Sequence, residues 1–305
     1  MDNYDQIIKI VKELSSSTDK ISKELAIILA AGHGKRLKSE ISKMLHTILG
    51  VPTVERVYSA CKEGIKDIYT IIVVGIKAED VMKHLGKREK TSYAYQQVQN
   101  GTGHAVQIAL EGMKDIPDDV IVYILPGDMG LIDAETIKQF REEFLKSKAD
   151  MIVLTGLYEG KPEDNYYGRI IRAKDESRNV IQIMEHKDIL ALPDYKPYTV
   201  SYKGKEYFYT KEELINNNEY NSGVFAFKYG MLAAMIGNLK SNNVQSEIYL
   251  TDLISLFNQK GYTVAAASPE KNYVVMGFNT QEVLKEMNEI ARKIYVGDQN
   301  HDNYF

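Results

Sequence analysis

The amino-acid sequence predicts an α/β fold built on a doubly wound, mostly parallel β-sheet. Three apolar runs, Leu25–Ala30, Tyr69–Val74 and Val120–Leu125, carry no charge, as is typical of strands that are buried on both faces. Segments with helical periodicity lie between these runs, so that strands and helices alternate along the chain. This alternation favours a parallel sheet that is covered by helices.

The other elements of the first half follow from local signals. A helix is predicted near Pro52, because proline suits the first helical turn. Ligands of parallel sheets bind beyond the carboxyl ends of the strands, so the loops after Ala30, Gln96 and Leu125 are predicted to converge on one cleft. The remaining predicted elements are a helix from about Ala78, a strand at Ser92–Gln96, a helix after Gly103, a helix from Ala134 to about Leu145 and a strand at Met151–Leu157.

The pattern changes after residue 157, where antiparallel strands are predicted. Pro197–Thr210 has the alternation of a β-hairpin, with its turn at Lys203-Gly204. We expect the second half to extend the same sheet. Its other predicted elements are strands at Ile170–Arg172, Val180–Ile183 and Gly223–Phe227 and a last helix from about Thr280 to Tyr295.

These elements divide the chain into an extension, one domain and a tail. The pattern of residues 1–20 predicts an amphipathic helix that docks either on the domain or on a partner, and Ser15–Thr18 is predicted to be a linker. Residues 1–24 are therefore expected to form a helical extension with a linker. The domain is predicted to span 25–296, and residues 297–305 form a polar tail that is predicted to be mobile. The predicted N-terminal helix presents Ile7, Ile8, Val11 and Leu14 on one face. The domain is predicted to consist of a nucleotide-binding half, 25–157, a sugar-binding half, 158–279, and a closing helix, 280–296.

The composition is that of a globular chain of 305 residues, with 44% apolar residues, 26% charged residues and a formal net charge of −4. A mildly acidic balance of charges argues against a nucleic-acid partner.

The single cysteine, Cys61, excludes an internal disulfide and a cysteine-based zinc site, and we expect it to pack in a helix. The sequence shows neither a signal peptide nor a membrane span, so we expect a cytoplasmic protein without membrane contacts.

A cationic loop follows the first strand. Leu29–Leu37 reads Leu-Ala-Ala-Gly-His-Gly-Lys-Arg-Leu, and Lys43 follows seven residues after Arg36. Small residues let backbone N–H groups approach a phosphate, while Arg36 offers a planar fork and Lys43 a point charge. The loop matches neither the dinucleotide fingerprint nor a Walker A loop, and a flexible basic turn is the alternative interpretation.

The same residues resemble the signature of the sugar-nucleotide pyrophosphorylases, a nucleotidyltransferase family with a Rossmann-like, glycosyltransferase-A-like fold. Within it the chain is most similar to the uridylyltransferase domain of bacterial UDP-N-acetylglucosamine pyrophosphorylase, and the resemblance covers about residues 25 to 285. The chain departs from the family with Lys35 in place of threonine and Ser42 in place of proline. The resemblance implies that Arg36 and Lys43 are catalytic, and that the nucleotide lies over Leu29, Ala31, Gly32 and Gly34.

A second segment, Gln96–Ala105, resembles the family's base-reading segment. The resemblance implies that Gln96 and Gly101 read the base, with Thr102 beside it. A side-chain amide has a donor and an acceptor, which match the edge of an imide such as uracil. The alternative is that Gly-Thr-Gly only caps a helix.

The resemblance also implies a Mg²⁺ site, formed by Asp128 after a buried strand and by Asn279 in a Gly-Phe-Asn turn. Carboxylate oxygens together with substrate phosphates suit magnesium. The alternative is that Asp128 caps a turn and that Asn279 caps the last helix. Pro126 and Gly130 replace the tyrosine and the proline that are usual in the family.

Further segments of the chain resemble family segments and follow one another in the family's order. Through them the resemblance implies the sugar-binding residues. The resemblance assigns Lys187 to a phosphate. Residues 189–217 are longer than the usual connection, so an altered acceptor is an open alternative. The implied sugar contacts are Gly168, Glu185, Asn221, Glu247, Tyr249 and Thr251.

Together these segments imply a Mg²⁺-dependent enzyme that transfers UMP from UTP to a sugar 1-phosphate, expected to be N-acetylglucosamine 1-phosphate, and that releases pyrophosphate. The alternatives are glucose or galactose 1-phosphate as acceptor, another pyrimidine triphosphate as donor, or a non-catalytic sensor of nucleotide sugars; a dehydrogenase is disfavoured because the glycine fingerprint is missing. No hexapeptide period is present, so we expect no acetyltransferase activity. The sequence leaves open whether the chain forms a homo-oligomer.

Overall fold

The structure is a computed structural model that describes residues 3–301 except 22, 33, 38, 112 and 114. Strands and helices alternate through the first half, as predicted. The helices are α1 (Asn3–Leu14), α2 (Thr53–Gly64), α3 (Ala78–Leu85), α4 (Thr102–Leu110), α5 (Ala134–Ser147), α6 (His186–Leu190), α7 (Lys211–Asn216), α8 (Tyr229–Ile236), α9 (Leu253–Gln259) and α10 (Gln281–His301). The strands are β1 (Glu24–Ala30), β2 (Thr47–Ile48), β3 (Val51–Pro52), β4 (Tyr69–Val74), β5 (Thr91–Tyr95), β6 (Ile121–Pro126), β7 (Met151–Leu157), β8 (Arg169–Arg172), β9 (Val180–Met184), β10 (Tyr198–Tyr202), β11 (Lys205–Tyr209), β12 (Glu219–Lys228) and β13 (Val264–Ala267).

The main sheet has the strand order β13-β7-β12-β6-β1-β4-β5, with β8 and β9 attached beside β12. Strand β1 pairs in parallel with β4 and β6, and β4 pairs in parallel with β5. In this register Leu29 lies beside Val73 on one side and Pro126 on the other. The carboxyl ends of these parallel strands therefore lie at one edge of the sheet, where ligands of α/β folds bind.

The sheet is covered on both faces because successive side chains of a strand point to opposite sides. In β1, Ala26 and Ile28 face the core that contains α2, α3 and α5. Leu25 and Ile27 face the core that contains α4, α8 and α9. This explains why the strand is an uninterrupted apolar run: both of its faces are buried.

The second half extends the same sheet. Strand β12 runs antiparallel between β6 and β7, and a bulge between Asn221 and Val224 interrupts its pairing with β7. The predicted hairpin forms as β10 and β11, which pair in antiparallel register from Tyr198↔Tyr209 to Tyr202↔Lys205. Within the longer connection at 189–217, buried side chains of this hairpin share a small apolar core with β8 and β9.

Most predicted boundaries lie within two residues of the observed ones, but β12 begins at Glu219 and not at Gly223, because Glu219–Asn221 continues the pairing with β7. The first and last helices also differ from the prediction. The first helix ends at Leu14, where the predicted linker Ser15–Thr18 begins, and not near residue 20. Ser15 Oγ and Ser16 N hydrogen-bond to β5, and Ser17 caps a short 3-10 helix at Thr18–Lys20. Its buried stripe also differs: Ile10 packs on the core with Ile7, Val11 and Leu14, in place of Ile8. The last helix continues to His301, so residues 297–301 of the predicted tail are helical, since no proline ends the helix there; residues 302–305 lie outside the described part.

Two further sequence expectations concern burial and membrane insertion. Cys61 is buried in α2, where burial raises the pKa of its thiol to about 12 and the side chain packs with the core. Its packing role is therefore confirmed. Among the helices that the structure describes, none has the length and apolarity to cross a membrane.

Candidate active site

The cationic loop lies at the carboxyl end of β1. Leu29 is half-buried and its carbonyl accepts a hydrogen bond from Gly127 N at 2.9 Å, which ties the loop to the end of β6. Ala31 is buried, whereas Gly32 is exposed. Gly34 has a φ of +58°, and a Cβ there would lie 3.0 Å from Lys43 Cβ, so a side chain would be strained and crowded.

Arg36 is exposed and lies in a 3-10 helix, Lys35–Leu37, whose position is fixed by the next residue. Leu37 is buried in a cluster with Ile48 and Phe278, and its N–H donates to Gly34 O at 2.9 Å. In the described part of the chain no acceptor pairs with the Arg36 guanidinium. The residue therefore offers an uncommitted cation at the rim of the site.

Lys43 contacts both residues, Asp128 and Asn279, that the family resemblance assigns to a metal. Its Nζ donates to Asp128 Oδ2 and, at 2.9 Å, to Asn279 Oδ1. The side chains of Lys43 and Asp128 are only 9% and 13% exposed, so the pair is largely shielded from water. The ammonium also lies 5.3 Å from the centre of the Phe278 ring, a distance at which a cation–π attraction contributes.

This geometry argues against the interpretation of Asp128 and Asn279 as simple caps. The hydroxyl of Thr280, not the Asn279 side chain, accepts from Val283 N at 3.4 Å in the first turn of α10. The carboxylate of Asp128 is engaged by Lys43, and no backbone N–H of the described residues donates to it. Both side chains thus present their oxygens to one positive charge.

The same oxygens fit Mg²⁺, which prefers carboxylate and amide oxygens together with substrate phosphates. Within the described residues, no group of three or more His, Cys, Asp or Glu side chains stands ready to hold a metal. A cation at Asp128 and Asn279 would therefore depend on phosphate oxygens to complete its shell. This requirement matches a site that binds a metal together with a nucleotide.

Ser42, which stands in place of proline, caps the Lys43 turn through hydrogen bonds. Ser42 is buried, and its hydroxyl accepts from Met44 N at 3.4 Å while its carbonyl accepts from Leu45 N at 3.0 Å. The serine therefore caps the 3-10 helix Lys43–Leu45. Polar capping supplies the local order that the proline ring gives in the family.

Tyr167 is a site residue that the sequence did not single out. Its hydroxyl donates to Gly277 O at 3.1 Å, and its ring stacks on Tyr220 at 4.4 Å between centroids. Burial, and next the nearby Asp128 carboxylate, raise the pKa of this phenol to about 12, so it stays a neutral donor. It holds the turn that carries Asn279, and only its position before Gly168 in the sequence hinted at this role.

Gln96 follows β5 at the same edge of the sheet, and its side chain is only 3% exposed. Its Nε2 donates to Gly101 O at 3.2 Å and lies 3.1 Å from His104 Nδ1. A carbonyl can only accept, so the Gly101 contact fixes which end of the amide is nitrogen. In the described part of the chain no donor reaches Oε1, which is left to accept a hydrogen bond.

Gly101 is required by its surroundings. Its φ is +99°, and a Cβ would lie 2.5 Å from Ile248 O. It is the N-cap residue of α4, so the helix-cap interpretation of the Gly-Thr-Gly sequence is also correct. The two interpretations are compatible, because a helix N-terminus presents backbone N–H groups.

Backbone contacts tie the base-reading segment to the block that contains Glu247. Gly103 N donates to Ile248 O at 2.8 Å, and Ile248 N donates to Asn100 O at 2.9 Å. Thr102 Oγ1 accepts from Leu250 N at 3.1 Å, so this hydroxyl has a structural partner. Ile248 was not predicted, since its contribution is made by backbone atoms that carry no sequence signal.

Four of the predicted sugar residues meet in one place. A Cβ at Gly168 would lie 3.1 Å from Glu185 Oε1, and Asn221 N donates to Gly168 O at 2.8 Å. Thr251 Oγ1 donates to Glu185 Oε1 at 3.4 Å. Asn221 Oδ1 accepts from Gly223 N at 2.8 Å, within the bulge of β12.

Glu185 is the most perturbed carboxylate of this group. Burial, and next the neighbouring Asp188 carboxylate, raise its pKa to about 7. Asp252 is raised to a pKa of about 6 by the same two causes. A carboxyl that is neutral for part of the time near neutral pH can donate as well as accept, which suits recognition of hydroxyl groups.

The other three predicted residues lie at the side of this group. Lys187 is exposed and its Nζ donates to Gln245 Oε1 at 2.7 Å, so its assignment to a phosphate stays a prediction. Gln245 Nε2 in turn donates to the hydroxyl of Tyr249 at 2.7 Å. The carbonyl of Glu247 accepts from Asn243 Nδ2 at 2.6 Å, which shapes the turn before Ile248.

Comparison with known proteins identifies the family. The model of the nucleotidyl transferase family matches residues 25–276, which is most of the chain. The chain belongs to the nucleotidyl transferase family. The match begins after α1, so the N-terminal extension lies outside the matched region.

Curated relatives agree with this assignment. The chain is 36% identical over 269 residues to the bifunctional protein GlmU of Acetivibrio thermocellus, which covers 88% of this chain and 51% of that protein. It is 34% identical over 259 residues to GlmU of Caldicellulosiruptor saccharolyticus, covering 85% and 50%. The chain therefore spans about half the length of the curated relatives it matches.

Solved structures share the fold at lower identity. A UDP-glucose pyrophosphorylase complexed with UDP-glucose superposes with a TM-score of 0.64 at 17% identity, covering 89% of this chain and 99% of the other. A putative glucose-1-phosphate thymidylyltransferase from Bacillus anthracis gives 0.59 at 21% identity, covering 88% and 95%. These similarities confirm the mostly parallel α/β architecture with antiparallel additions.

Proposed function

We propose that the protein transfers UMP from UTP to a sugar 1-phosphate, with N-acetylglucosamine 1-phosphate as the acceptor, and releases pyrophosphate. The observation that carries the proposal is the convergence of Lys43, Asp128 and Asn279 at the carboxyl edge of the sheet. These residues come from three distant parts of the chain; Lys43 and Asp128 are largely buried, and Asn279 completes the cluster from its exposed side. Membership of the nucleotidyl transferase family supports the same chemistry.

The choice of base follows from Gln96. Its Nε2 is engaged by Gly101 O, so its Oε1 is the atom that remains for the ligand. An amide oxygen accepts from the N3–H of uracil, whereas cytosine has an unprotonated N3 acceptor at that position. The orientation of this single side chain therefore favours UTP over CTP.

Catalysis in this site is positioning and electrostatic stabilisation. An acceptor phosphate is already ionised at neutral pH, so its oxygen attacks the α-phosphorus without a general base. The Arg36 guanidinium and the Lys43 ammonium would offset the negative charge that develops as pyrophosphate leaves. When bound at Asp128 and Asn279, Mg²⁺ would supply further neutralisation of the phosphate charge.

The acceptor is assigned to the group formed by Gly168, Glu185, Asn221 and Thr251. Glu185 and Asn221 offer polar atoms for a sugar ring and an acyl group; Glu185 is the N-cap residue of α6, and Asn221 lies on β12. The hairpin of the 189–217 connection hydrogen-bonds to the outer strands instead, through Tyr198 to Gln182 at 2.9 Å. This placement favours the acceptor that the family resemblance implies.

The test is pyrophosphate release from the purified chain with UTP and Mg²⁺. N-acetylglucosamine 1-phosphate and glucose 1-phosphate are supplied in separate reactions, and each is repeated with CTP. Release with UTP and the acetamido sugar is expected. Release only with glucose 1-phosphate would show that this sugar phosphate, and not the acetamido sugar, is the acceptor. No release despite UTP binding would favour a nucleotide-sugar sensor.

A further inference from the structure

The N-terminal helix α1 lies outside the region that the family model matches, yet it is docked on the domain. Ile7 is 6% exposed and belongs to the core that covers one face of the sheet, with Ile10, Val11 and Leu14 packed beside it. The helix contacts β5 and α3. The extension is therefore part of the folded domain and not a free arm.

The residues after α1 hold the start of β5. This strand is at the end of the sheet, so one of its edges has no neighbouring strand. Ser16 N donates to Thr91 O at 2.8 Å, and Tyr93 N donates to Ser15 Oγ at 3.0 Å. The two serines thus satisfy backbone groups that an open edge would expose.

Helix α1 also supports the other end of β5. The ring of Tyr4 lies 5.9 Å from the ring of Tyr95, the residue directly before Gln96. Ile7 lines a cavity of about 370 Å³ whose other walls include Gly75, Gln97 and Gln99. The helix therefore borders the base-reading segment on both sides of Gln96.

Strand geometry explains how this contact can affect the base. Successive side chains alternate between the faces of a strand, so Tyr95 faces α1 while Gln96 faces α4. Gln96 N donates to Val74 O at 2.8 Å, which anchors this residue on the inner side. On the outer side the support comes from α1, through Tyr4 and Ile7.

We propose that α1 is a positioning element for base recognition, in which Tyr4 and Ile7 fix the end of β5 so that Gln96 Oε1 points into the nucleotide site. The inference rests on the proposed function, since it takes Gln96 as the base reader. A strand end that loses this support can tilt, and the hydrogen bond to the base weakens. Nucleotide affinity and base choice are then affected more than acceptor binding.

The experiment compares full-length variants in UTP titration calorimetry and in steady-state kinetics with UTP and CTP. Tyr4→Ala and Ile7→Ala are expected to weaken UTP binding by about fivefold and to lower the UTP-to-CTP preference, with KM for the sugar 1-phosphate unchanged. Tyr4→Phe should behave as wild type, because in the described part of the chain the Tyr4 hydroxyl has no hydrogen-bond partner. Gln6→Ala is the matched control, because it changes an exposed residue of the same helix.

Amide hydrogen exchange of residues 95–101 provides a readout that does not need turnover. Faster exchange there in Tyr4→Ala and Ile7→Ala, with unchanged exchange in 42–46, is expected. Wild-type exchange and affinity in both variants would overturn the inference, and so would an equal loss of UTP and acceptor binding, which indicates a purely structural role. If wild type binds UTP but releases no pyrophosphate, the proposed function fails while binding and exchange still decide the role of α1.

Discussion

Asp128→Ala tests the centre of the site, because it removes the carboxylate that the Lys43 ammonium contacts. Both side chains are largely buried, at 13% and 9% exposure, and removing one partner of a buried pair costs about 3–5 kcal/mol. Lys43 keeps Asn279 Oδ1 at 2.9 Å and the Phe278 ring at 5.3 Å, which offset part of that loss. We therefore expect a decrease of about 2 kcal/mol in the free energy of unfolding, or a fall in Tm of about 3 °C.

The effect on turnover should be much larger than the effect on stability. Loss of one preorganised charge contact lowers the rate by about a hundredfold or more. Pyrophosphate release with UTP and N-acetylglucosamine 1-phosphate measures the rate, and circular dichroism measures Tm. Asp133→Ala is the matched control: Asp133 caps α5 through Thr136 N at 2.8 Å, and its loss costs about 1 kcal/mol away from the site. Turnover of Asp128→Ala within twofold of wild type would refute the assignment.

Three further predictions concern the base and the acceptor. Gly101→Ala places a Cβ 2.5 Å from Ile248 O at a φ of +99°, so UTP affinity should fall by about tenfold or more in calorimetry; wild-type affinity would contradict the strained geometry. Gln96→Leu removes the Oε1 acceptor, so the ratio of kcat/KM for UTP over CTP should approach one, and an unchanged ratio would remove Gln96 from base reading. Glu185 has its pKa raised from 4.5 to about 7, so between those values the folded chain holds a proton that the unfolded chain has released, and the free energy of unfolding falls as pH rises. Glu185→Gln should flatten this dependence in denaturant titrations at pH 5 and pH 7.5, and parallel curves for both proteins would contradict the assigned pKa.

Local sequence patterns predicted the strands that are buried on both faces. Tyr69–Val74 and Met151–Leu157 have the predicted bounds, and burial of every residue in these strands except Leu157 accounts for their apolar runs. The hairpin at 198–209 was predicted for a different reason, since Lys203-Gly204 adopts the positive φ angles that its two-residue turn requires. The run Ser15–Thr18 predicted a linker after Leu14, but the contacts of Ser15 and Ser16 with β5 were not predicted, because those partners lie far away in the sequence.

In the candidate site, too, the sequence showed the motifs but not the contacts between them. The motifs around Lys43, Asp128 and Asn279 were visible in the sequence, but the direct contact of all three was not. Lys43 and Asn279 are 236 residues apart, and they meet because β1 and β6 are neighbours and α10 packs beside the loop after β1. The antiparallel insertion of β12 between β6 and β7 also has no local signal.

The sequence by itself determined the fold class, the order of most elements and the residue types available for chemistry, because periodicity and turn residues act over a few neighbours. Tertiary structure alone decided which of those residues meet: the engagement of Asp128 and Asn279 by one ammonium, the orientation of the Gln96 amide and the docking of α1 beside Tyr95. The physical reason is that contacts between distant residues depend on strand order and packing. Those are set by burial of the whole chain and not by any single segment.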